Sequence, residues 1–313
     1  MKKQFVKDLH ADDFVDDVFY VADKDLRKTR DGNDYMRLSL RDKSGAITAV
    51  FFNPGSAKNT PKGSYVRITG RVSDYKGQIN IKLDDLWQEK EDAVDFKDFL
   101  PASERDVELC YNTLQETARS LREPLAALLT AFFDNSAFSK QFKLAPGGIV
   151  VHHGYLGGLC VHTYDMLAIA SDFCKRDINI DKDLLFAGVL LHDIGKIREY
   201  QYTQNIDNSD EGKFLGHIII GVRMVEREIE RIPNFSEKLA WKIHHMIISH
   251  HGTREFGSPV APKFAEAQIL HHIDNMDAKR AIYQEMKQQN DKAQRWSEYN
   301  PYLGHDVYFE QDK

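Results

Sequence analysis

The first 90 residues alternate short hydrophobic or β-branched runs with residues that form turns. Each run has the length of a strand rather than a helix, and Gly-containing turns such as Asp31-Gly32-Asn33 separate the runs. Such short strands predict a small closed barrel, because an open sheet of this size would leave its edges exposed. The predicted strands are Asp17–Ala22, Tyr35–Leu40, Ala46–Phe52, Ser64–Val72 and Gln78–Leu86.

The number and length of these strands fit the five-stranded oligonucleotide-binding (OB) barrel best, with a five-stranded barrel of the SH3 type as the alternative. Residues 91–102 mix charges with a proline and show no hydrophobic period, which is typical of a linker. Beyond Ser103 the pattern becomes helical, and the predicted fold class is therefore multidomain: an all-β OB-like barrel in residues 1–90, a linker in 91–102 and an all-α domain in 103–313. The predicted helices are Val107–Leu121, Glu123–Phe133, Leu159–Lys175, Lys182–Leu191, Gly216–Arg231, Ser236–His250 and Pro262–Gln288.

The composition, with 42% hydrophobic and 29% charged residues, is typical of a soluble globular protein. No apolar run approaches the length of a membrane-spanning helix, so we expect no membrane association. Acidic residues follow the N-terminal lysines where a signal peptide would be apolar, and the three cysteines lack CxxC spacing. Both features indicate a cytoplasmic protein with reduced thiols.

The net charge of −6 hides an uneven distribution. Residues 24–82 carry a balance of +8, so the rest of the chain carries −14. A basic N-terminal module on an acidic body is the arrangement expected of a module that binds a polyanion.

The candidate chemistry lies in the helical part, where an apolar run ends in His192-Asp193 and is followed by Gly195-Lys196. Any one of the histidines taken alone would more often be a hydrogen-bonded core residue, but His192-Asp193 and five further His or Asp residues together form a pattern. A helical bundle assembles a metal site from imidazole and carboxylate groups at the ends of several helices. Five imidazoles and two carboxylates exceed the needs of one tetrahedral zinc and suit two ions that share Asp193. The candidate ligands are His162, His192, Asp193, His217, His250, His251 and Asp274.

This pattern resembles the HD superfamily of metal-dependent phosphohydrolases, whose signature of a histidine, a His-Asp pair and a distant aspartate maps onto His162, His192-Asp193 and Asp274. Five segments in order look like the bacterial YhaM-type 3′–5′ exoribonucleases, in which an OB-like domain precedes the HD domain. The segments are HHGYLGGLCVHT, LLHDIGKIREY, FLGHIIIG, ISHHGTREFGSPV and HHIDNMDAKR. The resemblance covers nearly the whole chain.

The resemblance implies an exoribonuclease that trims single-stranded RNA from its 3′ end to nucleoside 5′-monophosphates, with single-stranded DNA as a further candidate substrate. It implies two divalent ions, with manganese favoured and iron, cobalt and magnesium as alternatives, and a metal-activated hydroxide as nucleophile. The two proposed ligand groups are His162, His192, Asp193 and Asp274 for one ion, and His217, His250 and His251 with Asp193 bridging for the other.

Asp193 and Lys196 are the candidate catalytic residues, and we expect Lys196 to neutralise a phosphate oxygen unless it is a surface lysine at a helix end. Phosphate or terminal-nucleotide contacts are also predicted for His152, His153 and Arg254, although the two histidines are equally suited to capping a helix.

In the barrel, aromatic side chains that can stack on bases alternate with cations that can follow a backbone. Some aromatics must fill the interior, and we expect Tyr65 and one of Phe51 and Phe52 to do so. The candidate nucleic-acid contacts are Tyr35, Arg37, Phe51, Arg71, Tyr75 and Lys76.

Two other functions remain open at this point: a phosphohydrolase of the same superfamily that acts on a mononucleotide or signalling nucleotide, and a non-catalytic nucleic-acid-binding protein. The barrel favours a polymeric substrate, and the complete ligand set disfavours a decayed site. Homo-oligomer formation through the long last helix is also left open.

Overall fold

The computed structural model describes residues 2–29, 31–75, 78–149, 153–176, 179–202, 206–289 and 294–310. The chain divides into two compact units. The first comprises Met1–Ala102 together with Tyr202–Ile206, and the second comprises Ser103–Gln201 together with Asp207–Lys313.

The first unit is a closed barrel of five strands in the order β1-β2-β3-β5-β4, closed by pairing of β4 with β1. All neighbouring strands are antiparallel except β3 and β5, which run parallel. This confirms the predicted OB-like barrel. The strands are β1 (Phe14–Lys28), β2 (Asp34–Asp42), β3 (Gly45–Phe52), β4 (Tyr65–Tyr75) and β5 (Gln78–Glu89).

Alternation along β2 sets which side chains fill the barrel. Met36, Leu38 and Leu40 are buried and belong to one hydrophobic core. In the pairing with β3, Phe51 lies opposite Met36 and Phe52 lies opposite the half-buried Tyr35. Because paired residues share a face of the sheet, Phe51 packs against the core and Phe52 stays on the outside.

Residues 91–102, expected as a linker, instead form part of the barrel unit. They contain two short 3₁₀ turns, Glu91–Ala93 and Phe96–Asp98, followed by the buried Phe99. The Phe99 ring contacts the ring of Tyr65, with 4.8 Å between centroids. Charged residues around Phe96 and Phe99 interrupt the hydrophobic pattern of this segment, so the sequence did not predict the aromatic contact.

The second unit is mainly helical. A two-stranded sheet of β6 (Tyr200–Tyr202) and β7 (Ile206–Asn208) is divided between the units, since Tyr202 and Ile206 are counted with the first. Leu114, Leu128, Met246 and Leu270 are among the side chains of its single hydrophobic core. The α-helices in the described residues are α1 (Val107–Ser120), α2 (Leu125–Phe133), α3 (Ser136–Phe142), α4 (Gly158–Arg176), α5 (Lys182–Leu191), α6 (Lys196–Glu199), α7 (Asp210–Ile229), α8 (Glu237–Ser249) and α9 (Ala265–Gln289).

Two features of the helical unit differ from the predicted elements. The short helices α3 and α6 were not predicted, because seven and four residues are too few to show a helical period. The helix predicted from Gly216 begins earlier, at Asp210, with Ser209 as its N-cap. Gly216 has a φ of 69°, which interrupts α7 and starts its regular second part at His217. None of the helices described is both long and apolar enough to cross a membrane.

Candidate metal centre

All seven candidate ligands come together in the helical unit, although five different helices or helix ends supply them. His162 lies in α4, and His192 and Asp193 follow directly on the last residue of α5. The remaining four are His217 in α7, His250 and His251 after α8, and Asp274 in α9. Neighbouring imidazole rings are 4.1–5.6 Å apart between centroids, from His162 through His192, His250 and His217 to His251.

Asp193 lies between two groups of these ligands. Its Oδ2 is 3.2 Å from His192 Nε2 and 3.8 Å from His162 Nε2. Its Oδ1 is 3.4 Å from His217 Nε2 and 3.6 Å from His250 Nε2. Each carboxylate oxygen therefore faces a different pair of imidazoles, which is the geometry required of a ligand shared by two ions.

Asp274 and His251 extend the two groups. Asp274 Oδ1 is 3.3 Å from His162 Nε2, on the Oδ2 side of Asp193. One ring nitrogen from each of His217, His250 and His251 lies within 4.8 Å of the others, so these three can contact one ion. The structure thus brings together both ligand groups that the resemblance implied.

A tight helix contact explains why the His192-Asp193 turn reaches His217. The turn continues α5, whose residues Leu184–Leu191 are all buried, so it is carried into the centre of the unit. A Cβ atom on Gly195 would lie only 2.0 Å from the carbonyl oxygen of His217. Only glycine therefore allows the start of α6 to approach α7 this closely.

Several buried atoms of the cluster have no hydrogen-bond partner among the described residues, although the rest of each side chain is fixed. In His192 and His250 the Nδ1–H group donates to a backbone carbonyl three residues earlier, at 2.9 and 2.7 Å. This leaves the lone pair of Nε2 directed into the cluster, as in a metal-binding histidine. The buried atoms without a partner in the described residues include His192 Nε2, Asp193 Oδ1, His217 Nε2, His250 Nε2 and His251 Nδ1. Unpaired buried polar atoms are costly, and divalent cations would satisfy all of them at once.

Two carboxylates that sequence reasoning missed hold the ligands from behind. Asp277 Oδ2 accepts hydrogen bonds from His162 Nδ1 at 2.7 Å and from His153 Nε2 at 2.9 Å. Glu199 Oε1 accepts from both Nδ1 and the backbone N–H of His217, at 3.0 and 2.9 Å. The only sequence signal for Asp277 was its position one helical turn after Asp274 on α9.

The surrounding charges set the protonation of these groups. Burial alone would raise the pKa of Asp193, but the Lys196 ammonium and the His192 ring hold it well below its ordinary value. Burial lowers the pKa of His250 far below its usual range, and it also lowers the pKa of His251. An ionised carboxylate beside neutral imidazoles is the donor set that divalent metals require.

Lys196 is buried in the same cluster rather than exposed at a helix end. Its Nζ lies 2.7 Å from Asp193 Oδ2 and donates to the Gly147 carbonyl at 2.6 Å. Because the pair is surrounded by protein, the attraction of Asp193 raises the pKa of Lys196 despite the opposing effect of burial, so this lysine keeps its charge.

The three candidates for phosphate contact are placed differently. His153 is buried against Asp277, and its Nδ1 pairs with the Tyr155 hydroxyl at 2.9 Å, so it supports the ligand shell. Arg254 is exposed on a 3₁₀ turn that follows His250-His251. His152 lies outside the described residues.

The barrel residues proposed to contact nucleic acid differ in their exposure. Tyr35 contacts the half-exposed Phe52, with 5.8 Å between ring centroids, and Arg37 and Arg71 are exposed. Phe51 packs against the barrel core, as the alternation of β3 requires, so Phe52 replaces it as the exposed aromatic. The side chain of Tyr75 and all of Lys76 lie outside the described residues.

The sequence is similar to two domain families and to proteins of known activity. The profile of the HD domain matches residues 160–279, and that of the OB-fold nucleic acid binding domain matches residues 21–88. The chain is 33% identical to the 3′–5′ exoribonuclease YhaM of Bacillus subtilis over 254 residues, which is 79% of either protein. It is 32% identical to the YhaM of Geobacillus sp. over 251 residues, covering 79% of this chain and 77% of that protein.

A solved structure, the second OB-fold domain of replication protein A from Methanococcus maripaludis, is also similar. It is 19% identical and covers 29% of this chain and 98% of that one, and its TM-score of 0.23 is too low to support an argument.

Proposed function

The chain belongs to the YhaM family of 3′–5′ exoribonucleases, and we propose that it uses two divalent ions bridged by Asp193 to remove nucleoside 5′-monophosphates from single-stranded RNA. The enzyme is a metal-dependent 3′–5′ exoribonuclease. We assign His162, His192 and Asp274 to one ion and the three remaining histidines to the other. The observation that carries this assignment is the division of Asp193 between two groups of imidazoles.

The ions, when bound, supply a nucleophilic hydroxide at neutral pH and positive charge around the reacting phosphate. Asp193 would contact one ion through each carboxylate oxygen, and the Lys196 ammonium lies 2.7 Å from its Oδ2. The Lys196 ammonium adds a buried positive charge, which stabilises negative charge as it develops on a phosphate oxygen. Manganese suits the mixed nitrogen and oxygen donors and is our proposed ion, ahead of iron, cobalt and magnesium.

We propose that the barrel holds the RNA upstream of the cleaved nucleotide. In OB folds the face formed by the second and third strands binds oligonucleotides. Here that face carries Tyr35 and Arg37 on β2 and Phe52 on β3. Single-stranded DNA offers the same bases and phosphates and is a proposed second substrate. The cytosolic location and homo-oligomer formation remain predictions.

A ladder assay tests the reaction. RNA carrying a 5′ label should shorten one nucleotide at a time in the presence of Mn²⁺, whereas a 3′ label should appear at once as a labelled mononucleotide. Magnesium, cobalt, iron and a DNA strand of the same sequence form parallel arms, and Asp193→Asn should abolish all products. Internal fragments, or shortening that starts at the 5′ end, would contradict the proposal.

Paired variants test the barrel. Tyr35→Ala and Phe52→Ala should each raise KM for long RNA by about 5- to 150-fold, since stacking contributes roughly 1–3 kcal/mol per base. Turnover of a dinucleotide should not change. Trp87→Ala is the matched control, because Trp87 is equally exposed but pairs with Arg67 on β4. Equal losses on RNA of every length would rule out this role for the barrel.

A further inference from the structure

Two phenylalanines with unusually exposed rings lie close in the chain to histidines of the proposed second ion. Phe214 is 88% exposed and Phe256 is 70% exposed, although neither side chain has a polar atom to interact with water. Exposed aromatic rings are the surfaces on which the bases of single-stranded nucleic acids stack. The ring centroids of the adjacent ligands, His217 and His251, are 5.3 Å apart.

The loop that carries Phe256 is held directly against His251. The N–H of Thr253 donates to the His251 carbonyl at 3.0 Å, and the N–H of Phe256 donates to the Thr253 carbonyl at 3.2 Å. A Cβ atom on Gly257, whose φ is 99°, would lie 3.6 Å from His251 Nδ1. These contacts fix the loop backbone beside the ligand, while the Phe256 ring remains exposed.

Phe214 lies close in the chain to His217. It lies three residues earlier, on the N-terminal side of the break at Gly216. Glu199 fixes the other side of the break through its two hydrogen bonds to His217. The Phe214 ring is exposed on the N-terminal side of the break, whereas His217 on the other side is half-buried.

We propose that Phe214 and Phe256 stack on the base of the 3′-terminal nucleotide, and that Arg254, exposed on the same loop as Phe256, contacts the RNA backbone. The inference rests on the proposed function, because a phosphate that reacts at the ligands places the terminal nucleoside next to them. Aromatic rings bind any base through its π-face, and a neighbouring arginine contacts phosphate. An exonuclease that removes every nucleotide in turn needs a terminal subsite of this sequence-tolerant kind.

Substrates that lack one base test the proposal. RNA with an abasic 3′-terminal nucleotide should be cleaved with a kcat/KM roughly 5- to 150-fold lower than intact RNA, which is stacking of about 1–3 kcal/mol converted at 1.36 kcal/mol per decade. Phe256→Ala and Phe214→Ala should each lower kcat/KM on intact RNA by about tenfold and change it little on the abasic RNA. Phe256→Trp should retain activity, since it keeps a stacking surface.

Trp241→Ala is the matched control, because Trp241 is 62% exposed on α8 of the same unit and should behave as the wild type on both substrates. Metal content and oligomeric mass are measured for every variant and should not change. The inference fails if Phe256→Ala and Phe214→Ala lose equal activity on intact and abasic RNA, or if they cleave intact RNA like the wild type. It also fails if they change the oligomeric mass, since that result would assign the rings to contact with a second copy. If the wild type cleaves no RNA, it is the proposed function that fails.

Discussion

Asp277→Asn tests how the site is held together. Asp277 is fully buried, its Oδ2 accepts from His162 and His153, and its Oδ1 accepts from Arg280 at 2.7 Å. An asparagine of the same shape has only one accepting oxygen. If that oxygen faces the histidines, the amide NH₂ meets the Arg280 guanidinium, and if it faces Arg280, the NH₂ meets the N–H of His162. Either orientation leaves donors opposed.

The expected loss follows from this conflict. Removing a carboxylate that supports a ligating histidine typically weakens metal binding 10- to 100-fold, or about 1.4–2.7 kcal/mol. We therefore expect Asp277→Asn to raise the dissociation constant for Mn²⁺ by about this factor, with most of the activity restored at saturating metal. Isothermal titration of the metal-free protein measures the constant, and the ladder assay measures the recovery.

Asp165→Asn is the matched control. Asp165 binds Arg280, as Asp277 does, and also accepts from Arg105 at 2.6 Å, but within the described residues neither of these bonds involves a ligating histidine. Loss of the Asp165 carboxylate should leave Mn²⁺ affinity within about twofold of the wild type. It should also have little effect on stability, since surface ion pairs of this kind contribute only about 0–1 kcal/mol. Unchanged affinity in a folded Asp277→Asn protein would refute the reasoning.

Three further predictions concern other parts of the centre. Glu199→Gln should weaken binding of one of the two ions by about tenfold through the loss of support for His217, and metal analysis after dialysis should then find one ion where the wild type holds two. Lys196→Met should keep both ions but lower kcat by about 100-fold, because it removes the buried charge beside Asp193; a rate within twofold of the wild type would contradict this. Metal binding should also release a proton: burial lowers the pKa of His162, but hydrogen bonds to two carboxylates raise it to about 10, so the ring is protonated at pH 7 in the metal-free protein. The affinity should therefore fall by up to about tenfold per unit as the pH decreases below that value, and titrations in buffers of different ionisation enthalpy should detect the released proton.

The candidate ligands could be identified in the sequence because helix ends and adjacent polar pairs leave a signal there. His192 and Asp193 interrupt a long apolar run, and His250-His251 precede a glycine. The helix of Asp274 was predicted over nearly its whole length. The barrel was equally visible, because alternation in β2 and Gly-containing turns act over a few residues.

The supporting residues could not be predicted in this way. Asp277 and Glu199 are two of 48 acidic residues, and nothing local separates a buried carboxylate from a solvated one. Their role depends on packing between helices that are distant in sequence. Phe51 and Phe52 posed a similar problem, because a shift of one residue in the register of β3 would exchange their faces.

The most direct test of the account is the number and position of metal ions in crystals of the wild-type protein grown with Mn²⁺. Anomalous scattering should show two peaks about 3.5–4 Å apart, one on each side of Asp193, which is the separation found in two-metal sites. A single peak near His162 and His192, with none among His217, His250 and His251, would contradict the bimetallic centre.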